Sequence, residues 1–163
     1  MNVKQTEWSR VGTGMIIYNN VGQILMGKRI SQYAGGKWCN AGGKLEFEED
    51  PKECAIREAL EETNIKVVDV QELGYMNDME IYDGVTERHW VTLMFAGRAW
   101  NSADLMNVEP TKHEEWRWFH LNELPKDMWD PMWEFWCENI HMDSFYEMLR
   151  ECYKAKRLSR LEE

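Results

Sequence analysis

The stretch Asp50-Pro51-Lys52-Glu53 constrains this chain more than any other, because it starts a helix with three independent signals. Aspartate caps free backbone N–H groups, proline fits the first helical turn, and a glutamate three residues after the cap can close a capping box. The helix so begun runs to about Thr63, with Ile56, Ala59, Leu60 and Thr63 as one largely apolar stripe that needs a sheet to cover it. Along the same helix Glu58, Glu61 and Glu62 stand at i, i+3 and i+4, so three carboxylates share a face. Like charges placed this way cost roughly 0.2–0.5 kcal/mol per pair, which a bound cation would offset. An all-oxygen donor set with no His or Cys suits Mg²⁺ or Mn²⁺ rather than zinc. The competing account of any glutamate-rich helix is a solvated acidic face. The flanks favour the cation: Gly42-Gly43 can turn tightly and offer a carbonyl, and Glu49 is spaced so that Arg57 can fold back onto it as a bidentate pair.

Around the helix the pattern is β-rich. Arg10–Tyr18 and Gln23–Arg29 read as strands joined by the turn Asn19-Asn20-Val21-Gly22, and Trp38-Cys39-Asn40 as a short extended piece leading into Gly42-Gly43. Strand character returns in Lys66–Met76, in His89–Trp100 and in the alternating Glu115–Leu121, with a polar loop over Asn101–His113. After Pro125 the chain reads as two helical pieces divided near His141-Met142-Asp143. The expected fold is an α/β (α+β) domain over residues 1–142, with 143–163 as a helical extension.

Charge narrows the function classes. The chain has 163 residues and a net charge of −10, which opposes direct binding to a nucleic-acid duplex but not the handling of polyanions through divalent cations. No apolar run approaches the ~20 residues that cross a bilayer, and the N-terminus lacks a signal-peptide core, so the expectation is a cytoplasmic protein with no membrane partner. Cys39, Cys54, Cys137 and Cys152 form no CxxC pair, and reduced thiols are the expectation.

The segment Gly43–Ile65 resembles the Nudix box, G-x5-E-x7-R-E-U-x-E-E-x-G-U, where U is a bulky apolar residue. Gly43, Glu49, Arg57, Glu58, Glu61, Glu62 and Ile65 stand where the pattern asks. Six fixed residue types would coincide by chance on the order of once in 10⁷ starting positions, too rarely to be accidental here. Two positions depart: Asn64 replaces the last glycine, and Ala59 is small for its place. Asparagine tolerates the left-handed conformation of a helix C-cap, and Ala59 touches packing rather than ligation. Weaker likeness runs from about Val11 to Ile140 and is nearest the MutT-like nucleoside-triphosphate diphosphatases, through Gly27-Lys28-Arg29, Lys44-Leu45-Glu46-Phe47, Asn107-Val108-Glu109-Pro110, Glu115-Trp116-Arg117-Trp118 and Glu123-Leu124-Pro125.

The resemblance implies an α/β/α sandwich with a central mixed sheet, the box forming a loop-helix-loop. It implies Mg²⁺, with Mn²⁺ as the substitute, held by Glu58, Glu62, Glu61 and the Gly42 carbonyl, with Glu109 as a late carboxylate that is either a ligand or a general base. Glu58 is the first candidate for that base. Arg57 and Glu49 would order the catalytic loop, and Arg29, Gly42, Gly43 and Lys44 would meet the substrate. A surface arginine and a solvated loop acid are the plain alternatives for Arg29 and Glu109. Of nine tryptophans, Trp129, Trp133 and Trp136 are the candidates for stacking on a base, with Asp130 or Asn139 as polar base contacts. The implied reaction converts a (deoxy)nucleoside triphosphate, ordinary or modified, into the monophosphate and pyrophosphate, and a homodimer is the implied assembly.

Two other activities compete. A dinucleoside-polyphosphate hydrolase would use a tyrosine about 17 residues past the box, where Tyr82 stands, whereas Glu80 and Ile81 replace the proline typical of ADP-ribose hydrolases. A non-catalytic nucleotide sensor would have lost box glutamates, and all three are present.

Overall fold

The computed structural model describes residues 8–30, 34–82 and 85–139, with the side chains of 80–82, 85–87, 138 and 139 outside the description. Among the described residues seven strands form one mixed sheet: β1 (Arg10–Tyr18), β2 (Gln23–Arg29), β3 (Trp38–Cys39), β4 (Ala41–Lys44), β5 (Val67–Tyr82), β6 (Val85–Ala99) and β7 (His113–His120). Helix α1 (Pro51–Thr63) follows β4, and α2 (Asp130–Asn139) follows β7. β1 runs parallel to β6 along its whole length, and the remaining pairings are antiparallel.

β1 is buried on both faces, which explains its nearly continuous apolar run. Met15 and Ile17 point to one side, where Ala55 and Ala59 of α1 pack with Ile65, Val67 and Phe95. Ile16 and Tyr18 point to the other, against Met132, Phe135 and Trp136 of α2 with Met76 and Met94. The sheet therefore lies between two helices, the expected α/β/α arrangement. On its free side β1 meets β2 only at Tyr18↔Ile24 and pairs with β4 from Met15 back to Gly12. The sheet opens where the partner changes from β2 to β4, and the candidate site lies at that opening.

α1 starts as its sequence dictates: Asp50 accepts hydrogen bonds from the Lys52 and Glu53 amides at 2.9 and 3.3 Å. It ends at Asn64 in the left-handed conformation (φ 59°), whose amide donates to the Leu60 carbonyl. The next carbonyls are met from the following loop, by Val108 N on Glu62 O at 3.2 Å and Met106 N on Thr63 O at 2.9 Å. Asn64 adds a bond a glycine could not make, from its amide nitrogen to the Asp104 carbonyl at 3.0 Å.

Several expectations need correction. The inward face of α1 is Cys54, Ala55, Ala59, Glu62 and Thr63, whereas Leu60 is 48% exposed. The helix lies across the sheet rotated by about one position, so that Glu62 rather than Leu60 turns inward. β5 and β6 are longer than the apolar pattern suggests, reaching Tyr82 and starting at Val85. Their outer halves are carried by antiparallel pairing that brings in polar residues such as Asn77, opposite Val91, and Asp78, opposite Trp90. The loop after β6 contains a short 3₁₀ turn at Ser102–Asp104. Cys39, Cys54 and Cys137 are free thiols. No described helix is long and apolar enough to cross a membrane. The second helical piece and the extension 143–163 lie outside the described residues.

Because Asn64 supplies both a left-handed cap and a loop tether, Asn64→Ala should cost roughly 1–2 kcal/mol. Asn64→Gly should cost less, since only the tether is lost. Urea denaturation followed by circular dichroism measures both.

Candidate active site

Arg57 organises the loop before α1. Its Nε and Nη2 donate to Glu49 Oε1 and Oε2 at 2.7 and 3.0 Å, a bidentate pair across eight residues. Nη1 reaches Glu58 at 2.7 Å and Glu61 at 3.0 Å, and Nη2 also approaches the Lys44 carbonyl and Cys54 Sγ, each at 3.4 Å. Glu49 in turn accepts from the Glu46 amide at 3.0 Å. The guanidinium, with that amide, holds the Glu49 carboxyl down at about 2, and the carboxylates keep Arg57 more firmly protonated than an ordinary arginine.

The glutamates of α1 part company. Glu62 is buried, and its Oε2 accepts from the Gly42 amide at 3.1 Å. Burial, aided by Glu58 and Glu109 and opposed by the Gly42 bond, pushes its carboxyl up to about 8. Glu58 lies against Gly43, where a Cβ would meet its carboxyl group, so the bare glycine lets the carboxyl rest against the β4 backbone as placed. Glu61 is turned outward, its side chain 54% exposed and held by Arg57. Glu58 and Glu61 thus share one guanidinium nitrogen, while Glu62 alone is bonded to the Gly42 amide. Among the described residues no three His, Cys, Asp or Glu side chains stand as a ready-made cation cage.

Glu58 and Glu62 open into a cavity of about 610 Å³. Its floor is the sheet face at Gly12, Gly14, Thr92 and Met94, and its walls include Asn40, Gly42, Gly43, Met76, Asp78, Trp90, Trp129 and Met132. The two glycines keep the floor open: a Cβ on Gly12 would stand 2.8 Å from the Gly43 carbonyl, and one on Gly14 2.6 Å from Met94 Sδ. Four cationic side chains line the cavity, Arg29, Lys44, Arg88 and Lys112. Against Glu58, Glu62 and Asp78 in the same lining they leave the cavity slightly positive within a chain of net charge −10, a balance suited to a polyanion.

Of the residues singled out from sequence, Arg29, Gly42, Gly43, Lys44, Glu58, Glu62 and Trp129 meet in this cavity. Trp129 is set there by a short parallel alignment with β3, its amide donating to the Trp38 carbonyl at 2.9 Å. Trp133 and Trp136, one and two turns further, line a separate groove with Leu121, Leu124, Met128, Asp130 and Cys137. The base-stacking role expected of Trp133 and Trp136 therefore has no support from position, and Asp130 likewise lies away from the carboxylates. Glu109 does not line the cavity; it pairs with Lys112 at 2.7 Å, close enough for its charge to act on Glu62. The side chains of Tyr82 and Asn139 lie outside the described residues. The sequence reading missed Asn40, Asp78, Arg88, Lys112 and His113. Asp78 and Arg88 sit on the outer part of the β5–β6 pair, and only the register of that pair brings them to the cavity.

The sequence matches the family model of the NUDIX domain over residues 8–138. The chain belongs to the Nudix family. This Nudix hydrolase is 29% identical over 140 residues to an RNA pyrophosphohydrolase of Gluconacetobacter diazotrophicus, covering 72% of the chain and 80% of that protein. It is 29% identical over 124 residues to the oxidized purine nucleoside triphosphate hydrolase of Danio rerio, covering 73% of the chain and 74% of the relative. Among solved structures, a MutT NUDIX hydrolase from Burkholderia pseudomallei superposes with TM-score 0.68 and 31% identity, over 76% of this chain and 92% of that one.

The Glu49–Arg57 pair has a pH signature. Glu49 is depressed from 4.5 to about 2, so its stabilising contribution is present above its unfolded value and is lost as pH falls toward 2. Arg57→Met should remove that contribution and move the acid-unfolding midpoint to higher pH, read by circular dichroism during acid titration.

Proposed function

We propose that this Nudix hydrolase cleaves nucleoside triphosphates, ordinary or modified, into the monophosphate and pyrophosphate. The observation that carries the reading is the single cavity in which two carboxylates of α1, four cationic side chains and the Trp129 ring come together. The carboxylates suit a divalent cation, the cations a phosphate chain, and the ring a base, whose stacking is worth roughly 1–3 kcal/mol.

A hard cation fits the residues present. Glu62 is an acid kept protonated by its burial and by the charges of Glu58 and Glu109, strain that a cation would relieve, and Glu58 stands beside it with all-oxygen chemistry. In this reading Glu58, Glu62 and the Gly42 carbonyl hold Mg²⁺ or Mn²⁺, while Glu61 acts at one remove, by steadying Arg57. When bound, the cation screens the phosphates and makes water a better nucleophile. Glu58 takes the proton from that water, being the candidate base that lines the cavity, whereas Glu109 does not. Arg29, Lys44 and Lys112 bind and align the phosphates. Arg57 orients Glu58 through its 2.7 Å bond.

The base end lies between Trp129, Met132 and Asn40. Both amide atoms of Asn40 are sheltered and without hydrogen-bond partners, so a donor and an acceptor stand side by side there. The relatives named for RNA and for oxidized purine triphosphates share the phosphate chemistry, and the net charge of −10 favours a free nucleotide over a polynucleotide.

The decisive assay is a nucleotide panel with Mg²⁺ and pyrophosphate release as the readout. Glu58→Gln and Glu62→Gln should each lower turnover by roughly 10²–10⁴-fold, and Trp129→Ala should raise KM roughly 5- to 100-fold with a smaller change in kcat. Tight nucleotide binding without release of pyrophosphate would defeat the reading.

Proton linkage gives a second check. Glu62, held near 8, is largely protonated at pH 7 and must lose its proton to hold a cation. Mg²⁺ binding should therefore release close to one proton at neutral pH and none well above pH 8. Calorimetry in buffers of different ionisation enthalpy measures it.

A further inference from the structure

Helix α2 serves two hollows. Met132 lines the cavity that holds Glu58 and Glu62, whereas Trp133, Trp136 and Cys137 line a separate groove of about 600 Å³. Leu121, Leu124 and Met128, from the chain between β7 and α2, complete a largely apolar lining. Trp133 is 52% exposed there, and among the described residues no element covers the groove. An apolar hollow open to water is a place for a partner surface.

The chain itself runs on from the rim. Cys137 lies in the last turn of α2, which ends at Asn139, and residues 140–163 follow. In that sequence Phe145, Leu149 and Cys152 recur at i, i+4 and i+7, with Glu147, Arg150 and Lys154 on the opposite side, an amphipathic helical pattern. As a helix, 143–163 is about 30 Å long at 1.5 Å per residue, enough to span the ten residues of α2 and pass its start.

The register follows from the turn. Helices joined by roughly 2–8 residues fold back as antiparallel neighbours, and residues 140–142 make such a connection. With 141 at its midpoint, Phe145 comes level with Cys137, Tyr146 with Trp136, Leu149 with Trp133 and Cys152 with Asp130. The positions of α2 that line the groove thus meet apolar and aromatic side chains of the extension. Further on, Lys154, Lys156, Arg157 and Arg160 pass the start of α2. Glu123, Asp127 and Asp130 are exposed there, in excess over Lys126 and over Lys37, which lies 3.9 Å from Asp130. So short a connection holds the extension beside the groove at a local concentration of order millimolar, an advantage that no second copy of the chain has.

We propose that residues 143–163 form a helix that folds back along α2 and fills this groove, clamping α2 between the sheet and the chain's own extension. The assignment stands on the groove and the sequence pattern and does not depend on the reaction catalysed.

The test uses the full chain carrying Cys152→Ser, in which Cys137 is the exposed thiol beside the buried Cys39 and Cys54. Maleimide labelling of Cys137, located by mass spectrometry, should be at least roughly tenfold slower than after a further Leu149→Asp, which puts a charge into the apolar contact. Equal labelling rates would overturn the proposal. Mild oxidation reads the register: in the same background, Phe145→Cys should form an intrachain disulfide with Cys137 readily, and Glu147→Cys, facing away, should not. If Phe145→Cys crosslinks no faster than Glu147→Cys, whether both react or neither does, the proposal falls. A disulfide product of two-chain mass on a non-reducing gel would show a second copy in the groove and would equally overturn it. Should Leu149→Asp fail to fold, the two crosslinks decide by themselves.

Discussion

One guanidinium holds the candidate site in register. Arg57 bonds Glu49 across the loop, Glu58 and Glu61 on its own helix, and the carbonyl of Lys44 on β4. These contacts fix the loop, the helix and the strand relative to one another through a single planar fork of donors. A lysine there would keep the charge and lose the geometry. One nitrogen of the fork holds both Glu58, which lines the cavity, and the more exposed Glu61, while Glu62 lines the cavity through its bond to the Gly42 amide.

The sheet supplies the second constraint. Because β1 is buried on both faces, helices are needed on both sides, and the cores they form come from alternate residues of the same strand. A continuous sheet would separate α1 from the opposite face. The change of partner from β2 to β4 breaks that continuity, so carboxylates from the α1 layer share a cavity with Trp129 and Met132 from the α2 layer. Small residues at Gly12 and Gly14 leave the volume that a ligand would fill.

Much of this was legible in the sequence, for local reasons. The helix cap at Asp50, the left-handed stop at Asn64 and the Glu49–Arg57 spacing are short-range signals, and the structure shows each as written. Long-range features were not legible. The stripe on α1 was misjudged because the rotation of a helix over a sheet depends on what lies beneath it; Glu62 turns inward since Gly42 offers it an N–H. The outer halves of β5 and β6 carry polar residues outside the core, so their extent follows from pairing rather than from hydrophobic alternation. The aromatic cluster after Pro125 illustrates the same limit: Trp129 and Trp133 are alike in composition, and only the alignment of 127–129 with β3 separates them.

The bond from the Gly42 amide to Glu62 has a consequence for watching the protein in solution. A backbone nitrogen on β4 is wired to a carboxyl that burial holds well above the usual carboxylate range. The nuclear magnetic resonance of that one N–H thus becomes a built-in reporter, sensitive to carboxylate ionisation and to any shift of the helix, with no label or engineered probe.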